Sequence, residues 1–285
     1  MYKNIVVGFD DSEYSRAALT EVSRWAKIHD SKVTLVHAVY FDAEEFGIVP
    51  EQLDKRMKAG KEICFHARDD YSSRFGIEIE SLVCEGEAPK VILDVAETKG
   101  ADLIAMGTYG RKGIRRLIMG SVTSSVILGS ACDVLVIKNP CSRCAGKYES
   151  ALVPFDGSVS SKKALGRAAA LSKMNPMSIA LLYVVPRYEE MIGFLRTSSI
   201  QDWLLEEGAR LIKQAEHMVS DNGAEVKTIV EEGPVGEKIV EIANNLKNDL
   251  IVMGSHGWRG VNKALIGSIA ERVIAYAAVP ILIAR

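Results

Sequence analysis

The sequence lacks a long apolar run, a strong excess of either charge and an even set of cysteines. No apolar stretch approaches the ~18 residues of a membrane-spanning helix, so we expect no membrane contact. The 35 Lys and Arg against 37 Asp and Glu give a net charge of −2, which argues against nucleic-acid binding. Five cysteines among 285 residues do not fit a disulfide scaffold. The apolar segment before Asp10 is too short for a signal peptide, so we expect a cytoplasmic protein.

Several catalytic signatures are also absent. The chain has no GxxxxGK[ST] phosphate loop, no GxGxxG dinucleotide fingerprint, no HExxH and no GxSxG nucleophile elbow. No motif pairs a nucleophile with a base. The composition, 48% hydrophobic and 25% charged, is that of an ordinary globular protein and excludes low-complexity disorder. We therefore expect a folded protein without efficient catalysis.

An internal repeat organises the chain. Residues 101–127 and 248–274 align without a gap at an offset of 147, with eleven identities in 27 positions. Upstream, Asp10 in IVVGFDDSEYSRAAL matches Asp156 in ALVPFDGSVSSKKAL at an offset of 146. So small a slippage over such a length indicates two copies of one domain. We predict a first domain over 1–140, a linker over 141–147 and a second domain over 148–285.

Each copy alternates short apolar strands with helical segments. In the first copy we predict strands at 5–9, 33–39, 77–83, 103–106 and 134–138, with helices at 12–28, 50–75, 89–98 and 120–129. Asp11 or Ser12 is the candidate N-cap of the first helix. The second copy repeats the pattern, with strands near 151–155, 178–184, 225–230, 250–253 and 280–284 and a long second helix at 198–222. This alternation is typical of α/β domains, here two doubly wound five-stranded parallel sheets with helices on both faces and strand order 3-2-1-4-5.

Glycines follow the fourth strand of each copy at the same spacing. The first copy reads Gly107-x2-Gly110-x9-Gly120-Ser121, and the second repeats it from Gly254 to Ser268. Gly107 and Gly110 allow backbone conformations with positive φ and the close approach of a ligand. The last glycine would open a helix whose free N–H groups attract phosphate. The alternative, that these glycines only turn the chain, is weakened because the pattern occurs twice in register.

This spacing resembles the nucleotide-binding branch of the universal stress protein family, whose G-2x-G-9x-G-(S/T) motif both copies match. The resemblance covers nearly the whole chain as a tandem pair. It implies ATP or AMP as ligand, with Mg2+ or Mn2+ at the phosphates. It also implies an intramolecular pseudo-dimer through residues 133–138 and 279–285, a homodimer as an open alternative, and a stress-response sensor or regulator with an unidentified protein partner.

The resemblance also implies the binding residues. In the first copy Asp10 would hold the ribose, beside Gly8 and Phe9, with Ala38 against the adenine. Met106 and Gly107 would line the pocket, and the phosphates would lie against Gly110, Gly120, Ser121, Val122 and Thr123. The second copy's counterparts are Pro154, Phe155, Asp156, Val184, Met253, Gly254, Gly257, Gly267, Ser268 and Ile269. Ala270 replaces Thr123, which removes a hydroxyl from the expected phosphate site.

Other interpretations of these residues stay open. From position alone, Asp10 and Asp156 could equally be helix N-caps. Arg111 and Lys112 could neutralise phosphate or belong to a solvated loop, and His256 could reach a phosphate or lie on the surface. A slow metal-dependent ATP hydrolase or a nucleotidyl-transferring enzyme is one alternative function. The other is an interaction module with vestigial nucleotide sites, in which Cys141 and Cys144 of the linker sense redox state.

Overall fold

The computed structural model describes residues 2–40, 50–108, 119–140, 146–186, 198–220, 225–257 and 266–285. The chain divides into two compact units, which we call the first domain (Tyr2–Gly146) and the second domain (Lys147–Arg285). No helix within the described ranges is both long and apolar enough to span a membrane.

The first domain is a parallel five-stranded sheet with helices on both faces. Its strands are β1 (Asn4–Gly8), β2 (Lys32–Val39), β3 (Ile79–Glu85), β4 (Leu103–Gly107) and β5 (Asp133–Ile137), and its helices are α1 (Glu13–His29), α2 (Pro50–Phe75), α3 (Ala88–Thr98) and α4 (Ser121–Gly129). The strand order is β3-β2-β1-β4-β5, as predicted. A hydrogen bond between Thr20 and Tyr71 joins α1 to α2, and Gly129 packs on Leu93 between α4 and α3.

The second domain repeats this architecture. Its strands are β6 (Ser150–Pro154), β7 (Ser178–Val185), β8 (Val226–Glu232), β9 (Leu250–Gly254) and β10 (Ile281–Ala284), and its helices are α5 (Val159–Met174), α6 (Ser198–Ser220), α7 (Val235–Asn245) and α8 (Ser268–Tyr276). The order β8-β7-β6-β9-β10 is again that of the prediction. Predicted and observed bounds agree within one or two residues in most elements. The third strand of the first domain begins at Ile79 rather than at residue 77.

One aspartate in each domain aligns the two central strands. Asp102, just before β4, accepts hydrogen bonds from the backbone N–H groups of Lys3 (2.7 Å) and Asn4 (3.1 Å) at the start of β1. Asp249 accepts from Glu149 (2.9 Å) and Ser150 (3.1 Å) in the same way. Because both strands begin together, their carboxyl ends emerge side by side. This is the point of strand-order reversal, where open α/β sheets bind ligands.

In each domain, an aromatic ring from a neighbouring strand packs against a glycine inside the long second helix. A Cβ built on Gly208 of α6 would lie 2.5 Å from Cδ1 of Tyr183 on β7. A Cβ on Gly60 of α2 would lie 2.9 Å from Cδ2 of His37 on β2. Both helices therefore pack closely on their sheets only because these positions have no side chain.

We expect Gly208→Ala to lower the free energy of unfolding by about 1–3 kcal/mol because the new methyl group overlaps the Tyr183 ring. This loss occurs although alanine favours a helix over glycine by about 1 kcal/mol. Gly166, in the middle of α5, is the matched control, since a Cβ there meets nothing within 4 Å. Gly166→Ala should therefore stabilise the protein by about 0.5–1 kcal/mol. Urea unfolding of both variants measures the contrast, and stabilisation by both would contradict the packing argument.

Candidate functional site

The candidate site lies at the carboxyl ends of the two central strands in each domain. The end of β1 is packed directly on β4, since a Cβ built on Gly8 would lie 2.5 Å from Sδ of Met106. In the second domain Pro154 ends β6 beside β9, which carries Met253 and ends at Gly254. The predicted residues at the strand ends are thus brought together in both domains.

The two predicted ribose-binding carboxylates are not helix caps. Oδ1 of Asp10 accepts the backbone N–H of Ser12 (3.1 Å) and the hydroxyl of Ser12 (2.6 Å). Oδ1 of Asp156 accepts the backbone N–H of Ser158 at 3.0 Å. The N-caps are Ser12 and Ser158, each accepting a hydrogen bond from the N–H three residues later. The N-cap interpretation of the aspartates is therefore wrong, and each half-buried carboxylate sits in the turn between strand and helix.

The first glycine of each motif is required for close packing rather than for its backbone conformation. Gly107 and Gly254 are the last residues of β4 and β9, and neither has a positive φ. A Cβ on Gly107 would lie 2.7 Å from the backbone carbon of Tyr14, and one on Gly254 would lie 2.4 Å from Cβ of Ser160. Neither position uses the positive φ that glycine allows. These glycines let the first turn of α1 or α5 pack against the strand end.

The rest of the glycine motif joins the strand end to a helix. The N–H of Gly120 donates to the carbonyl of Thr108 (3.0 Å), and the N–H of Gly267 donates to that of Ser255 (3.1 Å). A Cβ on Gly257 would lie 2.7 Å from Oδ2 of Asp156. Gly110, Arg111 and Lys112 lie outside the described residues. In the second domain, residues 255–257 therefore connect the Asp156 carboxylate to the start of α8.

The helices that follow the motif begin without a side-chain cap. Gly120 and Gly267 are their N-caps, with φ of −61° and −62°. Neither provides an acceptor for the first-turn N–H groups, which at any helix start have no intrahelical partner. The hydroxyl-bearing Ser121 and Ser268 occupy the first helical position and are exposed. Donors and the positive end of the helix dipole together favour an anion here.

Thr123 has a role that its position in the motif does not reveal. Its side chain is 3% exposed, and its hydroxyl donates to the carbonyl of Gly107 at 2.7 Å. The hydroxyl proton is therefore committed to the strand end rather than to a phosphate. The difference between Thr123 and the buried Ala270 changes strand-to-helix packing, and the expected loss of a phosphate contact in the second domain does not follow from it.

The predicted base-binding residues are apolar and line the strand ends unevenly. Val184 is 9% exposed, while Ala38 is half-buried. The remaining side chains are distributed as follows: Phe9, Met106, Phe155 and Met253 are buried, Val122 is half-buried and Ile269 is exposed. Ala38 therefore offers less apolar surface on this side than Val184 does in the second domain.

Sequence inspection missed the residues just before Ala38 and Val184. Nδ1 of His37 lies 2.7 Å from the carbonyl of Phe9, and since a carbonyl only accepts, Nδ1 carries a proton. Tyr183 takes the corresponding position in the second domain. Burial raises the pKa of Tyr183, and the negative charges of Asp156 and Glu207 raise it further. The sequence signal that could have indicated His37 and Tyr183 is their shared position, directly before the predicted base contacts Ala38 and Val184.

Metal and redox chemistry find no support among the described residues. Within them no group of three or more His, Cys, Asp or Glu side chains is placed to hold a metal ion. The Mg2+ or Mn2+ at the phosphates therefore stays a prediction. Cys141 and Cys144 lie outside the described residues, so the redox alternative stays a prediction.

Comparisons with known proteins agree with the resemblance seen in the sequence. The model of the universal stress protein family matches the chain twice, over residues 1–138 and 147–285. A universal stress protein of Methanocaldococcus jannaschii is 35% identical over 145 residues, covering 49% of this chain and 84% of that protein. One of Mycolicibacterium smegmatis is 23% identical over 291 residues, covering 99% and 96%. The crystal structure of a universal stress protein from Archaeoglobus fulgidus shares the fold, with a TM-score of 0.76, 20% identity and coverage of 99% and 96%. This chain belongs to the universal stress protein family and contains two of its domains in tandem.

Proposed function

We propose that each domain binds one adenine nucleotide, ATP or AMP, and that the protein acts as a nucleotide-dependent sensor or regulator in a stress response. The observation that carries this proposal is the proximity of a carboxylate to an uncapped helix N-terminus in the second domain. A Cβ built on Gly257 would lie 2.7 Å from Oδ2 of Asp156. Two residues earlier, the carbonyl of Ser255 accepts a hydrogen bond from the N–H of Gly267, the N-cap of α8.

A nucleotide satisfies both halves of this arrangement. A carboxylate repels a bare phosphate but accepts hydrogen bonds from ribose hydroxyls, as acidic residues do in other doubly wound domains. The helix N-terminus favours the phosphate that is attached to the same ribose. The apolar Val184 and Met253 offer surface for a base, whose identity as adenine comes from the family resemblance. The absence of catalytic motifs from the sequence favours sensing over turnover.

Nucleotide content and stoichiometry test the proposal. Mass spectrometry of the supernatant from denatured protein identifies any nucleotide that co-purifies, and calorimetric titration with ATP and AMP counts the sites. We expect two equivalents per chain. We also expect nucleotide to reduce protease sensitivity and hydrogen exchange in the glycine loops or in α2 and α6. Binding without such protection would contradict the sensor role, and the absence of binding to either domain would contradict the proposal as a whole.

Asp10→Asn and Asp156→Asn should each weaken nucleotide binding to their own domain by about tenfold, since a hydrogen bond to a charged group contributes about 1.5–3 kcal/mol. Asparagine keeps an oxygen for the N–H of Ser12 or Ser158, so the turn before the helix is preserved. Calorimetric titration measures the affinities, and thermal unfolding checks that stability is retained. Unchanged affinity in both variants would exclude these carboxylates from the site.

A further inference from the structure

A chain of three polar side chains lies at the glycine motif of the second domain. Nη1 of Arg285 lies 3.2 Å from Oγ of Ser255, and the same oxygen lies 3.0 Å from Nδ1 of His256. A guanidinium only donates, so Ser255 accepts from Arg285 and has its own proton to give to Nδ1. When Ser255 donates this proton to Nδ1, a neutral His256 ring carries its own proton on Nε2. Ser255 is 5% exposed, which fixes the centre of the chain inside the protein.

This polar chain is located where the phosphates of a nucleotide would lie. The carbonyl of Ser255 accepts the N–H of Gly267, and Cα of His256 is 3.6 Å from a Cβ built on Gly267, the N-cap of α8. On its other side His256 adjoins Gly257, where a built Cβ would lie 2.7 Å from Oδ2 of Asp156. The half-buried imidazole therefore belongs to the segment between the carboxylate and the helix N-terminus.

The first domain does not form the same chain. Its equivalent residues are Thr108, Tyr109 and Lys138. The hydroxyl of Thr108 is buried and has no hydrogen-bond partner, so Lys138 does not hold Thr108 as Arg285 holds Ser255. Tyr109 lies outside the described residues. Among those that are described, the two candidate phosphate sites differ in this side-chain support.

We propose that His256 is a side-chain phosphate contact of the second site and that Arg285, acting through Ser255, is its positioning residue. This inference rests on the proposed nucleotide function. Nε2–H of His256 donates to a phosphate oxygen, while the N–H groups at the start of α8 bind the same group. The Arg285 guanidinium adds positive charge behind the hydroxyl. The second site thus binds the phosphate with a side chain as well as with backbone N–H groups.

Binding of ATP to the second site alone provides the first test. Gly120→Val in the first domain leaves the second site to be titrated by calorimetry. In that background His256→Ala should weaken ATP binding about tenfold, the effect of one hydrogen bond to a charged group. His256→Gln, whose terminal amide N–H reaches towards the Nε2 position, should restore affinity to within about threefold. The same His256→Ala change in a Gly267→Val background is the control, and ATP binding to the first site should not change.

The tautomer of His256 tests whether Ser255 and Arg285 position this ring. A variant that only lost stability would not change the tautomer. Nitrogen-15 spectra of the labelled protein should show Nδ1 without a proton and Nε2 with one. Ser255→Ala should remove this preference and weaken ATP binding about threefold. Arg285→Gln should change the nitrogen signals in the same direction.

The outcomes separate this inference from the proposed function. If the Gly120→Val protein binds ATP and His256→Ala leaves the affinity unchanged, His256 is a surface residue and the inference is wrong while the function stands. Failure of His256→Gln to restore binding would also overturn it. If the Gly120→Val protein binds no ATP although wild type binds it, the second site does not function and both proposals fail for that domain.

Discussion

Gly107→Ala and Gly254→Ala are each expected to lower the free energy of unfolding of their domain by about 3 kcal/mol, at the upper end of the cost of overpacking. A methyl group on Gly107 would lie 2.7 Å from the backbone carbon of Tyr14 and 2.9 Å from the backbone nitrogen of Ser15. A methyl group on Gly254 would meet Cβ, C and O of Ser160 at 2.4–3.0 Å. Backbone atoms cannot rotate away as side chains do, so α1 or α5 must move.

Movement of α1 or α5 would also disturb the site. The N-caps Ser12 and Ser158 and the carboxylates of Asp10 and Asp156 precede these helices directly, so nucleotide binding should be lost together with stability. Urea unfolding and calorimetric titration measure the two effects. Gly166→Ala is the control for adding a methyl group where space is available. A change in unfolding free energy within about 0.5 kcal/mol, typical of a surface substitution, would show that the contact relaxes easily.

The fold could be predicted from the sequence because its signals are local or repeated. Short apolar runs and helical spacing mark each element, and the alternation of the two restricts the sheet to a parallel, doubly wound form. Residue type and position leave Asp11 and Ser12 as candidate N-caps, of which the structure has Ser12. The repeat then tests each assignment against an independent copy. Boundaries shifted by a residue or two, as at β3, because fraying strand ends have no sequence mark of their own.

The structural roles of individual site residues could not be predicted from the sequence in the same way. The spacing motif suggests a conformational role for Gly107, whereas Gly107 and Gly254 are required by the close approach of a helix that is distant in the sequence. The family resemblance implies a phosphate contact for Thr123, whereas its hydroxyl donates to the carbonyl of a residue 16 positions earlier. The motif does not mark His37 or Tyr183. Each of these depends on contacts between elements, which a spacing motif does not contain.

The two domains share the backbone geometry of the site but differ in its side chains. Equivalent aspartates align the central strands, equivalent serines cap the first helices and equivalent glycines open the last ones. In contrast, Pro154 replaces Gly8, Ala270 replaces Thr123 and Tyr183 replaces His37. Shared backbone geometry predicts that both domains bind the same chemical class of ligand, and the different side chains predict different affinities.

Gly120→Val and Gly267→Val are each expected to remove nucleotide binding from one domain, with at least about a hundredfold loss of affinity, or about 2.7 kcal/mol. The valine branches would cover the first-turn N–H groups of α4 or α8 and exclude the phosphate. The fold should persist, because backbone angles of φ −61°, ψ 142° and φ −62°, ψ 137° are favourable for any residue. The stoichiometry measured by calorimetry should fall from two equivalents to one in each variant and to none in the double variant.

Gly267→Ala provides the graded control for this result. Its Cβ would lie 3.3 Å from the carbonyl oxygen of Ser255, slightly tighter than ordinary contact, and 3.6 Å from Cα of His256, and it lacks the branches that would cover the N–H groups. We expect its affinity to fall by less than about fivefold, equivalent to about 1 kcal/mol. If alanine and valine weakened binding equally, the loss would come from the N-cap geometry rather than from covering the helix N-terminus. If neither weakened it, the phosphate would have to bind elsewhere, because in that case the uncapped helix start is not what holds it.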